Sequence, residues 1–228
     1  MDIKTIQRKY ISDVPGQEKI LVEYTEYLDG VKHGIRTIFT PYGKRIEEQN
    51  FSHGSLHGLV TKWDIEGHKI YEMSYQNGRS YGLCVKYYKS GDIISQTNFI
   101  NGKKEGLQYY WTPSHVLRKE RTFEHDQLNG KSKEWFNDSG YEEIMYLCGK
   151  RHGSYIKWYN TINKEFIREY VDDVLISEKK WSKLGKEILS DFHIRSMEKR
   201  SFDTKYIETI IEISEEHQIK RQHTDIFI

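Results

Sequence analysis

The sequence contains no alanine at all. Alanine is the strongest helix former, so its absence argues against a bundle of long, well-packed helices. Proline occurs only 3 times, which excludes a proline-rich spacer. The 2 cysteines, Cys84 and Cys148, are too few and too far apart for a disulfide framework or a paired metal or redox motif. They fit a reducing compartment, and a cytoplasmic location is expected. No apolar run approaches the ~18 residues that a membrane-spanning helix needs. The N-terminal stretch lacks the apolar centre of a signal peptide. Charge of one sign is missing too: 35 basic and 34 acidic residues leave a net charge of +1. No overall field draws the chain to nucleic acid or to an anionic membrane.

What is present is aromatic and periodic. Aromatics make up 14% of the 228 residues, with 17 tyrosines, and there are 17 glycines. Tyrosine, isoleucine and tryptophan favour strands. Gly34, Gly58, Gly82, Gly106 and Gly130 recur every 24 residues, Gly153 follows after 23, and Ser177 holds the same place a further 24 on. Four residues earlier stand Gly30, Gly54, Gly78, Gly102, Asp126, Gly149 and Asp173. Tyr27, Phe51, Tyr75, Phe99, Phe123, Tyr146 and Tyr170 precede that column by three. Five residues after the second glycine come Phe39, Trp63, Tyr87, Trp111, Trp135 and Trp158, with Trp181 one residue early in the last unit. A third glycine column reads Gly43, Gly67, Gly91, Gly140 and Gly185, with His115 in place of one member. The chain is therefore a tandem repeat of about seven units of ~24 residues.

Each unit carries two turn signals. One is the stretch holding both paired glycines, as in Asn77-Gly78-Arg79-Ser80-Tyr81-Gly82; the other is a short polar stretch with glycine, as in Lys89-Ser90-Gly91-Asp92. Glycine, asparagine and aspartate supply the positive φ of tight hairpin turns. Two strands of five to seven residues between turns make one hairpin per unit. The expected fold is all-β: an elongated, single-layer antiparallel β-meander. Alternation after the second glycine sets Leu59, Thr61 and Trp63 on a packing face with an aromatic ladder, and polar residues such as Lys62 and Lys86 on the other.

The Tyr75-Gln-Asn-Gly78-Arg-Ser-Tyr-Gly82 and Phe99-Ile-Asn-Gly102-Lys-Lys-Glu-Gly106 stretches resemble the MORN repeat family in its variant form, which includes bacterial antitoxin-like proteins. The resemblance covers about residues 20–188. It implies a binding role, with neutralisation of a partner protein or contact with phospholipid as variants of it.

Residues 1–19 form an N-terminal segment without a clear unit, 20–188 the repeat array, and 189–228 a tail of different composition. In the tail Phe202, Tyr206, Ile207, Ile210, Ile211 and Ile213 recur mostly at helical spacing, opposite Lys205, Glu208, Glu212 and Glu215. A C-terminal helix that caps the array or docks a partner is expected.

Catalytic signals are weak. His33, His57 and His152 share one column, but two strands of separation, roughly 10 Å, is too far for one metal ion. Glu48, Glu72, Glu120 and Glu143 recur with lysines such as Lys62 and Lys86 and read as cross-strand ion pairs. Gly130-Lys131-Ser132 falls on the repeat register and lacks the upstream glycine of a phosphate loop. No catalytic residue, metal or cofactor is expected. The structural positions are the paired glycines (Gly30, Gly34, Gly54, Gly58, Gly78, Gly82, Gly102, Gly106, Gly130, Gly149, Gly153) and the aromatics Trp63, Tyr87, Trp111, Trp135 and Trp158. The candidate partner surface is Lys62, Lys86, Tyr110, Lys157, Ile210 and Ile211. A non-enzymatic scaffold for protein–protein interaction is expected, its partner another protein or a second copy of the chain. A phospholipid membrane is the alternative; nucleic acid and a small-molecule substrate are not expected.

Overall fold

A computed structural model describes residues 3–11, 20–136 and 139–188. The strands are β1 (Lys4–Ile11), β2 (Ile20–Leu28), β3 (Val31–Phe39), β4 (Arg45–Ser52), β5 (Ser55–Trp63), β6 (Lys69–Gln76), β7 (Arg79–Tyr87) and β8 (Ile93–Ile100). They continue as β9 (Lys103–Trp111), β10 (Leu117–Glu124), β11 (Gln127–Trp135), β12 (Tyr141–Leu147), β13 (Lys150–Trp158), β14 (Lys164–Val171), β15 (Val174–Trp181) and β16 (Glu187–Ile188). They form one open, antiparallel 16-stranded sheet in strict sequence order. The array begins with β1, inside the N-terminal segment, which pairs with β2. The expected C-terminal helix, with Ile210 and Ile211, lies outside the described residues. Among the described residues no helix is long and apolar enough to cross a membrane.

Short turns alternate with longer loops. The short turns join β2 to β3 and each later even strand to the next. Both central residues have positive φ, as at Asn77 (50°) and Gly78 (79°), which is the requirement of a type I′ hairpin. Asp126 (71°) and Asp173 (68°) adopt the same conformation where glycine is missing, with His125 and Asp172 before them. The longer loops are turns closed by a left-handed residue, except between β13 and β14, where Asn160 Oδ1 accepts from Ile162 N (2.9 Å) and Asn163 N (2.8 Å). Thr40 O accepts a hydrogen bond from Gly43 N (3.0 Å), and Thr40 N donates to Lys44 O (2.7 Å). His115 (61°) and Ser139 (69°) take the place of Gly43 in their loops. Ser139, not Gly140, is therefore the true member of that column.

The second glycine is not a turn residue. It sits inside the strand, as Gly58 does in β5, and forms a bulge. Phe51 pairs with Leu56 and Gln49 with Val60, so His57, Gly58 and Leu59 stand opposite Asn50 alone. The φ of Gly58 is 102°, a conformation glycine adopts without strain. Bulges also explain the irregular spacings. In β15 Ser177 replaces the glycine and one bulge residue is lost, because Tyr170 pairs with Leu175 and Glu169 with Ser177. This brings Trp181 one position early. A second bulge follows the longer loops, where Ile46, Ile70, Ile94, Arg118 and Glu165 are the extra residues. Strand β12 lacks it: Trp135 pairs with Tyr141 and Glu134 with Glu142 without a shift. That missing residue is the single 23-residue interval.

The register divides the side chains between two faces. On the front face a central row of directly opposed residues runs from Gln7 in β1 to Glu178 in β15. Its middle is Val60, Met73, Cys84, Thr97, Gln108 and Arg121, each the partner of the next. The aromatics that precede the type I′ turns lie on the same face, two residues along each even strand. The row at the fifth position after the bulge glycine lies on the back.

Both faces are packed at their centre, so the expected packing face is one half of the core: Thr61 (6%) and Val85 (7%) are buried on the back. The most buried row follows the bulge glycine by two, with Val60 at 3% and Gln108 at 4% exposure, whereas Leu59 and Leu83 beside the bulge are exposed at 41% and 46%. Among the described residues each strand packs on its sequence neighbours, without a second layer. Burial therefore depends on tall flanking side chains. Turn-side aromatics shield the central row on one side, and a row of long side chains containing Tyr71 and Tyr110 shields it on the other. Gln108 is accommodated because its Nε2 donates to Thr97 Oγ1 at 2.7 Å.

The two aromatic columns consequently stand on opposite faces and do not interleave. On the back, basic side chains fill the gaps: the Arg45 guanidinium lies 4.0 Å from the Trp63 ring centre and the Lys69 ammonium 5.5 Å from that of Tyr87. Direct ring stacking does occur between Tyr141 and Trp158, at 4.2 Å.

Candidate functional site

Four of the six candidate surface residues converge on one line. Lys62, Tyr71, Lys86, Ser95, Tyr110 and Lys119 are successive partners in a second front-face row, beside the central one. The row continues through Glu134 and Glu142 to Lys157. Lys62, Lys86, Tyr110 and Lys157, singled out as variable positions, thus share one face and one register. Period-two alternation carries them there.

Two shallow grooves open on this face. The first holds about 370 Å³ and is lined by Glu47, Gln49, Leu56, Val60, Lys62, Tyr71, Tyr75 and Lys86. The second, about 360 Å³, is lined by Tyr110, Arg118, Lys119 and Arg121. Tyr71 lines the first groove. Burial, followed by its contacts with Cys84 and Tyr75, raises its phenol well above the ordinary tyrosine value. The Cys84 thiol is also pushed up, by burial first. Both groups stay neutral near pH 7, and neither is an activated nucleophile.

Arg118 and Arg121 escaped the reading of the sequence. Arg118 occupies the bulge column held by Ile46, Ile70 and Ile94 in the preceding units, and its Nη1 donates to Trp135 O at 2.8 Å. That isoleucine-to-arginine change was the signal available. Arg121 continues the central row of Val60, Met73, Cys84, Thr97 and Gln108, and is its first charged member after Arg36.

The expected glutamate–lysine pairs are partly redrawn. Lys62 meets Glu47 at 3.4 Å, while Glu48 and Glu72 point to the back and meet Arg45 (2.7 Å) and Lys69 (2.8 Å). Glu143 does meet a lysine, Lys133, at 2.9 Å. For Glu72, burial opposes ionisation, but hydrogen bonds from Lys69 and Tyr87 outweigh it and hold the carboxyl below its ordinary range. In return Tyr87, half-buried and donating to Glu72 Oε2 at 2.6 Å, is pushed up to about 12, burial being the larger cause.

The histidine column brings no ligands together. His33 meets His53 edge to face, with ring centres 5.0 Å apart, and His152 faces Asp172 at 3.4 Å. Asp64, Glu66 and His68 place one donor atom each within 4.8 Å of one another. Turn formation accounts for this group: Asp64 Oδ1 accepts from the backbone N–H groups of Glu66 and His68, each at 2.9 Å. Gly130 lies within β11, not in a phosphate loop.

No protein-family profile matches the chain, and no curated protein matches it.

Proposed function

We propose that this chain is a non-enzymatic repeat scaffold that binds another protein along the front face of its sheet. The observation that carries this reading is the pair of shallow, open grooves on one face, lined by the same row of long polar and aromatic side chains. Such surfaces lie along an extended partner, whereas small ligands are held in enclosed, mostly apolar cavities. The resemblance of residues 20–188 to variant MORN repeats supports the same class of role.

The test is site-specific photocrosslinking in the source cell. A photoreactive residue replaces Tyr110 on the front, Leu83 on the back or Ile162 in a loop. A discrete crosslinked protein from the Tyr110 position alone is the expected result. Equal smears from every position, or a product only from Leu83, would refute a front-face scaffold.

A further inference from the structure

Net charge hides an asymmetry that the register exposes. From β5 to β10 the front face carries Lys62, Lys86, Lys104, Lys119 and Arg121 and no carboxylate in its rows. The acidic residues of the same strands go elsewhere. Glu72 and Glu120 alternate onto the back, opposite Val85 and Lys133. Glu105 and Glu124 stay at the turn end, where they accept from His125 N and Asn129 Nδ2. In the loops, Asp64 is engaged by His68, and Asp92 by Ser90 and His115.

The two ends of this strip are neutralised. Lys62 pairs with Glu47 of β4 at 3.4 Å, and Lys119 with Glu134 of β11 at 2.6 Å. The other three cations, Lys86, Lys104 and Arg121, have no ion-pair partner among the described residues. The strip crosses five strand spacings, about 24 Å, with one groove near each end.

We infer that this strip docks an acidic segment of a partner protein, an inference that rests on the scaffold reading above. Charge complementarity selects the partner: carboxylates supply what the unpaired cations lack. Ring chemistry disfavours stacking of single-stranded nucleic acid at Phe123 and Tyr71. Bases need free aromatic faces on which to stack, whereas the Phe123 ring is already covered by Lys104 at 5.0 Å and Tyr71 is held against Tyr75 and Cys84. Extended peptides repeat side chains on one side every ~6.6–6.8 Å, so carboxylates can meet cations that stand about 10 Å or more apart.

The probe is fluorescein-labelled deca-glutamate, followed by anisotropy with the full chain at low ionic strength. The front variant is Lys86→Glu/Lys104→Glu/Arg121→Glu. The control, Lys103→Glu/Lys131→Glu/Lys179→Glu, makes the same charge change on the back, at exposed positions. The front variant is expected to bind at least about tenfold more weakly and the control less than about twofold, because complementarity is local. Neutral Lys86→Gln/Lys104→Gln/Arg121→Gln guards against misfolding and should weaken binding in the same direction. Equal loss in front and back variants, or no binding by the parent chain, would overturn the inference. Tighter binding of a fluorescent oligothymidylate, or of phosphatidylserine vesicles, through the same residues would overturn it as well. The scaffold reading stands or falls separately: crosslinks at Tyr110 that survive the front variant would sink the strip and leave the scaffold.

Discussion

The bulge glycines make the sharpest prediction about this fold. Consider Gly58→Ala. At φ 102° the new side chain sits in a backbone region that L-residues rarely adopt. The added Cβ would also stand 3.2 Å from Asn50 Cβ, an atom fixed to its own backbone and unable to swing aside. Left-handed backbone costs an L-residue about 1–2 kcal/mol, and crowding adds about 1 more, so the total is about 2–3 kcal/mol. Gly106→Ala is the internal control. Its φ of 73° is close to the left-handed well, and nothing lies within 4 Å of the new Cβ, so about 1 kcal/mol is expected. Urea denaturation followed by tryptophan fluorescence measures both, and hydrogen exchange across Val60 and Met73 localises the loss. If Gly106→Ala costs as much as Gly58→Ala, or if Gly58→Ala is neutral, the bulge account is wrong.

Other outcomes follow from the same geometry. Cys148 is exposed and Cys84 is buried with a raised thiol pKa, so Ellman's reagent should label one thiol quickly and the second only after unfolding. Tyr87 is pushed up to about 12, so absorbance near 295 nm should show it silent where free tyrosines titrate; this raised value contributes stability below about pH 10 that is lost as pH climbs through the folded value. Tyr87→Phe should remove that part of the alkaline sensitivity. Glu23 is held below its ordinary range first by the hydrogen bond from Arg36, at 2.8 Å. Its contribution is present above about pH 4.3 and disappears as pH falls through the lowered value, so the stability gap between the parent and Arg36→Gln should be at most about 1 kcal/mol at pH 7 and close in acid.

Much of this architecture was legible because hairpin turns have strict chemistry. Asn77-Gly78 and Asn101-Gly102 announce type I′ turns directly, and the 24-residue recurrence gives strand order without further information. The bulge was not legible, because glycine marks turns and bulges alike. Only pairing shows that Gly58 lies within a strand. Missing the bulge also hid the front half of the core, since the alternation after Gly58 reads equally well with either face packed. Apolar Leu59 and Leu83 then outvoted Gln108, which is buried because Thr97 bonds it. The candidate surface was half visible. Lys62, Lys86, Tyr110 and Lys157 follow from period two, but the unpaired state of Lys86 and Arg121 depends on where every neighbouring carboxylate points.

The strict sequence order of the strands has a mechanical consequence. No described strand pairs with a distant one, so among the described residues nothing ties the two ends of the sheet to each other. Tension applied between the termini would pass through the hydrogen-bonded ladders in series, so they would yield one at a time and not together. Under force the molecule should lengthen in nearly equal steps, each releasing one hairpin, and rewind the same way when the load is removed.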